Sequence, residues 1–155
     1  MNISPTIKIN KTNSSDEDFI RLVRLLDADL AQRDGADHAF FAKFNKIDAI
    51  QHVIVLYVDG LTVACGAIKQ YAPEIMEVKR MYVLPEYRGK GYASRVLTAL
   101  EEWAAALHYH KCILETGEKQ PEAIRLYKKN NYRVIPNYGQ YADVKTSICF
   151  EKIVA

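Results

Sequence analysis

Residues 79–103, KRMYVLPEYRGKGYASRVLTALEEW, place a strand, a glycine-rich basic loop and an amphipathic helix in direct succession. Tyr82 and Val83 have strand character, and Pro85 ends the strand because it cannot donate a hydrogen bond to a neighbouring strand. From Gly91 onward, apolar residues recur with the period of a helix that buries one face. The sequence therefore predicts a loop that brings glycines and cations to the N-terminus of a helix.

This loop has the chemistry of an anion-binding site. The first N–H groups of a helix have no partners within the helix, and the helix dipole adds partial positive charge there. Glycines let backbone amides approach an anion closely, and Arg88 and Lys90 add positive charge. The loop thus predicts a phosphate or pyrophosphate site. The simpler alternative is a solvated basic loop that caps a helix.

Two familiar phosphate-binding motifs fit this loop less well. A P-loop requires Lys-Ser or Lys-Thr directly after its last glycine, whereas Tyr92 and Ala93 follow Gly91 here. A dinucleotide fingerprint requires a third small residue, Gly or Ala, where this chain has Ser94. Glu115, at the end of the next predicted strand, is placed like the ribose-binding acid of that fold, so this alternative stays open.

A third motif fits better. The segment RGKGYA at residues 88–93 matches R/Q-x-x-G-x-G/A, follows a strand ending in Met-Tyr-Val and opens a helix. It resembles the coenzyme A signature of the GNAT acyltransferase superfamily. The predicted order of elements, β-α-α-β-β-β-α-β-α-β-β, resembles the GNAT fold over essentially the whole chain. The resemblance implies an α/β fold in a single domain, residues 1–155. Its central mixed, mostly antiparallel sheet has about seven strands flanked by about four helices.

Hydrophobic period and turn residues predict the individual elements. Ser14 and Glu17 form a candidate capping box for a helix that ends near Asp34. Asp59-Gly60 is typical of a two-residue hairpin turn. A second, shorter helix is predicted over residues 38–45. The predicted strands are 6–10, 53–58, 61–68, 75–83, 111–115, 132–135 and 147–152, and the later helices open at Gly91 and Pro121.

The resemblance also implies where the cosubstrate lies. In the family the fourth and fifth strands splay apart, and the acyl group lies in the gap. Backbone groups of the fourth strand would pair with the pantetheine arm as an added strand, and amides from Gly89 to Ser94 would hold the pyrophosphate. The implied cosubstrate residues are Met81, Tyr82, Val83, Arg88, Gly89, Lys90, Gly91, Tyr92, Ala93 and Ser94.

Acetyl transfer from a thioester to an amine needs a proton donor for the leaving thiolate. A thiol has a pKa of about 8.5 and a phenol one of about 10, so a tyrosine can supply that proton. Tyr127 stands where the family often has this tyrosine, in a segment that resembles A-x-x-L-Y-x-x-x-G-F. Asn131-Tyr132 replaces Gly-Phe at its end. The alternative is a core aromatic, because Ala123 and Ile124 share a helical face with Tyr127.

The ammonium group of the acceptor must also lose a proton before it attacks. Glu77 lies on the fourth strand, where some family members carry a glutamate base, and alternation places it on one strand face with Lys79 and Met81. The alternatives are a strand-face ion pair and deprotonation through water. Glu115, on the neighbouring strand, is a second carboxylate near the gap. It would orient a water molecule or bind Lys79 or Thr116.

The acceptor site is implied by two loops that shape it in the family. One loop contains Asp34, Asp37 and His38, and the other contains Tyr138 and Tyr141. Aspartates and tyrosines can hold a cationic amine by charge and by cation–π contact. A solvated acidic loop and two packing tyrosines are the alternative. The expected acceptor-binding residues are Asp37, His38, Glu115, Tyr138 and Tyr141.

Composition limits the binding partners, the cellular compartment and the metal requirement that this protein is expected to have. The net charge of +2 over 155 residues gives no broad field for nucleic acid or a membrane. No apolar run approaches the roughly 18 residues of a membrane-spanning helix. Three cysteines, an odd number, without a secretion signal indicate reduced thiols in the cytoplasm. His108, His110 and Cys112 alternate, but they lack a fourth ligand, so no metal is expected.

The combined expectation is an acetyl-CoA-dependent N-acetyltransferase that acts by direct transfer on a primary amine of a small molecule. We expect a monomer or a homodimer, with neither nucleic acid nor a membrane as a partner. Two alternatives stay open. One is a protein or peptide N-acetyltransferase, and the other is a CoA-binding module that lacks turnover.

Overall fold

Seven strands form one mixed sheet in this computed structural model, which describes residues 4–34 and 49–155. The strands are β1 Ile7–Thr12, β2 His52–Val58, β3 Leu61–Ala72, β4 Ile75–Val83, β5 Lys111–Gly117, β6 Arg133–Ile135 and β7 Ser147–Ile153. Their order across the sheet is β1-β2-β3-β4-β5-β7-β6. Only β4 and β5 run parallel, and every other neighbouring pair is antiparallel. The predicted mixed, mostly antiparallel sheet of seven strands is confirmed.

The described residues contain three α-helices, which cover the two faces of the sheet. They are α1 Glu17–Asp34, α2 Tyr92–Ala106 and α3 Pro121–Lys129. Helix α1 packs on one face, through Phe19 and Leu22 against Val53 and Val55. Helices α2 and α3 share the opposite face in a second apolar cluster. The prediction of about four helices differs from this count because its second helix, residues 38–45, lies outside the described residues. No helix in the described ranges is both long and apolar enough to cross a membrane.

Local chemistry explains two of the turns. Asp59 and Gly60, at φ 49° and 83°, close the β2–β3 hairpin as predicted. The capping box at Ser14 and Glu17 is wrong by two residues. Asp16 caps α1, because its Oδ1 accepts a 2.9 Å hydrogen bond from the backbone N–H of Phe19. The Ser14 hydroxyl accepts instead from the N–H of Ile50.

A bulge in β4 shapes the centre of the molecule. Lys79 pairs with Ala67 and Tyr82 with Cys65, so two residues of β4, Arg80 and Met81, face one residue of β3. Arg80 has a φ of 61°, in the left-handed region that residues other than glycine seldom adopt. Its buried guanidinium pairs with Asp27 of α1 at 2.8 Å. The bulge therefore bends β4 and is secured to α1.

The same bulge changes which side chains share a face. Beyond it, Met81 packs in the same apolar cluster as Val78, on the α2 side of the sheet. Glu77 and Lys79 lie on the other side, 3.7 Å apart. The prediction that Met81 shares a face with Glu77 is therefore wrong, since simple alternation does not allow for an inserted residue.

Strands β4 and β5 pair only at their beginning. Ile75, Met76 and Glu77 are opposite Lys111, Cys112 and Ile113, and the two strands then separate. The separation implied by the family resemblance is present, and a cavity of about 590 Å³ opens between the two strands.

Candidate active site

The cavity collects most of the residues that the sequence singled out. Its wall is built from β4, the glycine loop, the first turn of α2, the end of β5, α3 and the second half of α1. Predicted residues that line it are Glu77, Met81, Tyr82, Val83, Arg88, Gly89, Gly91, Tyr92, Ala93, Ser94, Glu115, Tyr127 and Tyr141.

Two of the described residues that were predicted for the site, Lys90 and Tyr138, do not line the cavity. Lys90 is exposed, and its ammonium lies 5.7 Å from the ring centre of Tyr87. Tyr138 is directed at Glu77 and does not line the cavity. Asp37 and His38 lie outside the described residues.

The glycine loop presents its backbone to the cavity. Gly89 and Gly91 have φ angles of 78° and 86°, and a Cβ atom on either residue would meet no other atom within 4 Å. Gly91 directly precedes α2, so the free N–H groups of the first turn open onto the same space. Arg88 steadies the loop, because its Nε donates a 2.9 Å hydrogen bond to the Val83 carbonyl. The geometry fits an anion held by backbone amides.

A contact that sequence reasoning missed joins the loop's helix to α3. The side-chain amide of Asn130 donates to Ser94 Oγ at 3.1 Å and to the Leu126 carbonyl at 2.9 Å. The first turn of α2 is thus fixed to the end of α3. Asn130 follows Tyr127 by three residues, in the segment that carried the family resemblance.

Tyr127 belongs to both the core and the cavity wall. Its ring lies 5.8 Å from those of Tyr132 and Phe150, and the residue is only 6% exposed. Its hydroxyl makes no hydrogen bond within residues 4–34 and 49–155. Burial and the nearby charge of Glu115 raise the pKa of Tyr127, which keeps the phenol protonated. The group can donate a proton or a hydrogen bond, and it cannot serve as a base.

Two carboxylates reach the cavity from the separating strands. Glu77, 9% exposed, accepts a 2.5 Å hydrogen bond from the Tyr138 hydroxyl on Oε2, and its Oε1 lies 3.7 Å from the Lys79 ammonium. Glu115 accepts a 2.6 Å hydrogen bond from Ser147. One carboxylate ends the paired part of β4, and the other lies on β5 beyond the point of separation.

Three tyrosines, Tyr71, Tyr138 and Tyr141, form an aromatic cluster, and of these Tyr141 lines the cavity. Tyr138 packs edge-on against Tyr71 at 5.1 Å and against Tyr141 at 5.8 Å. Burial raises the pKa of Tyr138 and of Tyr141, so both phenols are neutral. Aromatic faces beside carboxylates suit a cationic group.

An ion pair connects α1 with α3 beside the cavity. Sequence reasoning did not predict this contact. Arg33 pairs with Asp29 at 3.3 Å and also with Glu122 in the first turn of α3. Both carboxylates line the cavity. Arg33 and Glu122 are almost ninety positions apart, and no local pattern signals such a contact.

Comparisons with known proteins agree with this geometry. Residues 19–132 match the acetyltransferase (GNAT) family. A structure from Klebsiella pneumoniae, provisionally described as an acyl-CoA N-acyltransferase, is 30% identical with a TM-score of 0.78, over 97% of this chain and 99% of that one. The PaiA N-acetyltransferase from Thermoplasma acidophilum, solved with coenzyme A, has a TM-score of 0.68 over 96% and 99% of the two chains. At 17% identity this second likeness shows the fold alone.

Curated relatives match over shorter segments. An IAA acetyltransferase from Azospirillum brasilense is 36% identical over 94 residues, which cover 60% of this chain and 61% of that protein. The N-acetyltransferase YjgM from Escherichia coli, which is uncharacterized, is 40% identical over 55 residues, or 36% of this chain and 33% of that one. The chain thus spans less than two thirds of the length of the curated relatives it matches.

Proposed function

Because the chain belongs to the acetyltransferase (GNAT) family, we propose that it moves the acetyl group of acetyl-CoA to a primary amine of a small molecule by direct transfer. One observation carries this proposal: the glycine loop, Tyr127 and Glu77 all open onto one cavity between β4 and β5. That cavity can hold a thioester between an anion-binding end and an acid–base end.

The anion-binding end suits the pyrophosphate of acetyl-CoA. Amides of the first turn of α2, together with Arg88, would hold the phosphates, and the open space at Gly89 and Gly91 allows their close approach. Beyond the bulge, residues 81–83 do not pair with β5. The edge of β4 that faces β5 is therefore available there to pair with the pantetheine arm. When bound, acetyl-CoA supplies an activated acyl group and a thiolate leaving group.

In this proposal the Tyr127 hydroxyl donates a hydrogen bond, or its proton, to the departing sulfur of coenzyme A. Its hydroxyl has no other hydrogen-bond partner in the described ranges, and burial keeps it protonated. The raised pKa makes full proton transfer harder than for an ordinary phenol, but a hydrogen bond to the developing thiolate still stabilises it. The role of core aromatic coexists with this one, because only the ring packs against Tyr132 and Phe150.

Glu77 is proposed as the group that accepts the proton of the acceptor amine, directly or through water. Its Oε2 is held by Tyr138, and Oε1, which lies 3.7 Å from the Lys79 ammonium, is the oxygen that would meet the incoming amine. Glu115 would assist by holding a water molecule or the amine itself. Because the two carboxylates stand on strands that separate, an amine between them would meet the thioester inside the gap.

The loop between β6 and β7 supports a small acceptor. It is held down on the end of the cavity by the Tyr138–Glu77 hydrogen bond and by the ring of Tyr71. Asn137 secures its base with hydrogen bonds to the carbonyls of Val144 and Ser147. We propose a monomer or homodimer in the cytoplasm, a location that three buried, unpaired thiols support.

The experiment that tests this function offers the protein two classes of acceptor. Acetyl-CoA is mixed with small amines, amino acids and polyamines in one series and with peptides bearing free N-termini or lysines in another. Thiol release is followed with time. Release that is fastest with a small amine supports the proposal, and release with peptides alone favours the peptide enzyme. Tight acetyl-CoA binding without release in either series indicates a CoA-binding module.

A further inference from the structure

We propose that Tyr138 is a positioning residue, which holds the Glu77 carboxylate in the orientation that proton removal from the acceptor requires. The inference rests on the proposed function, because it assigns Tyr138 a task only if Glu77 handles that proton. It also gives Tyr138 a different task from the expected one, which was cation–π contact with the acceptor amine.

The contact is short and joins distant parts of the chain. The Tyr138 hydroxyl lies 2.5 Å from Glu77 Oε2, and the two residues are 61 positions apart. Glu77 is the last residue of β4 that pairs with β5. Tyr138 belongs to the loop between β6 and β7, so this loop reaches past β5 to the point where the two strands part.

The direction of the hydrogen bond follows from its partners. A carboxylate accepts only, so the phenol donates. Burial and the charge of Glu77 raise the pKa of Tyr138, which keeps its proton in place throughout the ordinary pH range. A hydroxyl committed in this way is poorly placed to bind an acceptor as well.

The ring of Tyr138 is itself immobilised. It lies edge-on between Tyr71 and Tyr141, and Tyr141 is only 3% exposed. A glutamate side chain has three rotatable bonds, so a rigid donor on one oxygen removes much of its freedom before the substrate binds. The other oxygen, Oε1, lies 3.7 Å from the Lys79 ammonium, and both Glu77 and Lys79 line the cavity. Ordering the carboxylate in advance should therefore raise kcat more than it strengthens substrate binding.

The test is a double-mutant cycle on turnover. Tyr138→Phe removes the hydroxyl and keeps the ring, and Glu77→Gln removes the carboxylate charge. We expect Glu77→Gln to lower kcat by about 10²-fold, the low end for a general base. Tyr138→Phe should lower kcat about tenfold with the KM for acetyl-CoA unchanged. In the Glu77→Gln background, Tyr138→Phe should have no more than about a twofold effect, because a residue that acts through Glu77 has nothing left to position.

Tyr71→Phe is the matched control. It removes a hydroxyl from the same aromatic cluster without a contact to Glu77, and we expect it to keep the wild-type kcat. A normal kcat in Tyr138→Phe overturns the inference. So does an equal effect of Tyr138→Phe in both backgrounds, which would assign Tyr138 to the acceptor. A wild-type kcat in Glu77→Gln overturns it as well, because Glu77 then handles no essential proton.

A second measurement separates this inference from the proposed function. A short hydrogen bond between a phenol and a carboxylate gives a proton NMR signal far downfield. We expect such a signal in the wild-type protein and in Tyr71→Phe, and its loss in Tyr138→Phe and in Glu77→Gln. A wild-type protein that shows the signal but releases no thiol with any amine retains the contact and contradicts the proposed function. A wild-type protein that turns over without the signal contradicts the inference alone.

Discussion

Met81 lies directly above Gly66, and a Cβ atom on Gly66 would be 2.5 Å from its Sδ. The same Cβ atom on Gly66 would lie 2.9 Å from the Leu100 side chain and 3.0 Å from the Val96 side chain, both on α2. Gly66 is the one residue of β3 opposite the bulge in β4. The bulge, the helix that follows the glycine loop and the cavity wall therefore meet at a position where only glycine fits.

We expect Gly66→Ala to destabilise the protein by about 1–3 kcal/mol, the usual cost of overpacking a core. Because Met81 lines the cavity and would have to shift, acetyl-CoA affinity should also fall. Urea unfolding measures the first effect and calorimetry the second. Gly117→Ala is the control for stability, since its Cβ would meet only Gln120, at an ordinary 3.5 Å. Equal stability of the two variants would contradict this account of the packing.

Gly91→Asp should abolish most acetyl-CoA binding. Its side chain would project into open space rather than into protein, so the expected loss comes from a negative charge placed where the pyrophosphate would lie. Gly60→Asp is a matched control, because Gly60 has nearly the same φ, 83° against 86°, and equally open surroundings in the β2–β3 turn. Calorimetry should show wild-type affinity for Gly60→Asp. Unchanged affinity in a folded Gly91→Asp variant would show that the loop does not hold the phosphates.

Tyr127→Phe tests the proposed role of the Tyr127 hydroxyl as a general acid, because it removes the hydroxyl and keeps the ring in the core. Turnover should fall by about 10²-fold or more, the usual scale for a positioned acid, while acetyl-CoA affinity and melting temperature change little. Tyr132→Phe is the control, because its ring packs against that of Tyr127 while its buried hydroxyl makes no hydrogen bond in the described part of the chain. It should leave turnover intact. A near-normal rate in Tyr127→Phe, with unfolding of Tyr127→Ala, would leave Tyr127 as a core aromatic only.

The three cysteines should not form an acyl-enzyme. Cys65, Cys112 and Cys149 are fully buried, and burial raises the pKa of each thiol, to about 12 for Cys112. Because the thiolate is the nucleophile, all three should be unreactive at pH 8 in the folded protein and should react in urea. Intact-mass measurement after addition of acetyl-CoA should show no adduct. An acetyl adduct formed as fast as turnover would overturn direct transfer.

Local patterns explain how much of this fold could be predicted from the sequence. The bounds of β4, Ile75–Val83, were predicted to the residue, because strand-forming residues run without a break between a turn and a proline. The glycine loop, its helix and the Asp59–Gly60 hairpin were predicted for the same reason. Each depends on neighbours in sequence.

The remainder depends on contacts between distant residues. The bulge at Arg80 and Met81 has no local marker, and it moved Met81 to the face opposite Glu77. The hydrogen bond from Tyr138 to Glu77 and the pairing of Arg33 with Glu122 join residues that only the folded sheet brings together. The buried carboxylate of Glu77 requires a hydrogen-bond partner, and the fold supplies one from a distant part of the chain.

The transfer itself is the most direct test. Acetyl-CoA labelled with ¹³C in the acetyl group is mixed with the protein and the best small amine, and thiol and N-acetylated product are measured together by absorbance and mass spectrometry. The account predicts one labelled N-acetyl amine for each thiol released, only when both protein and amine are present. It is contradicted if acetyl-CoA binds but no amine accelerates thiol release above the rate without protein.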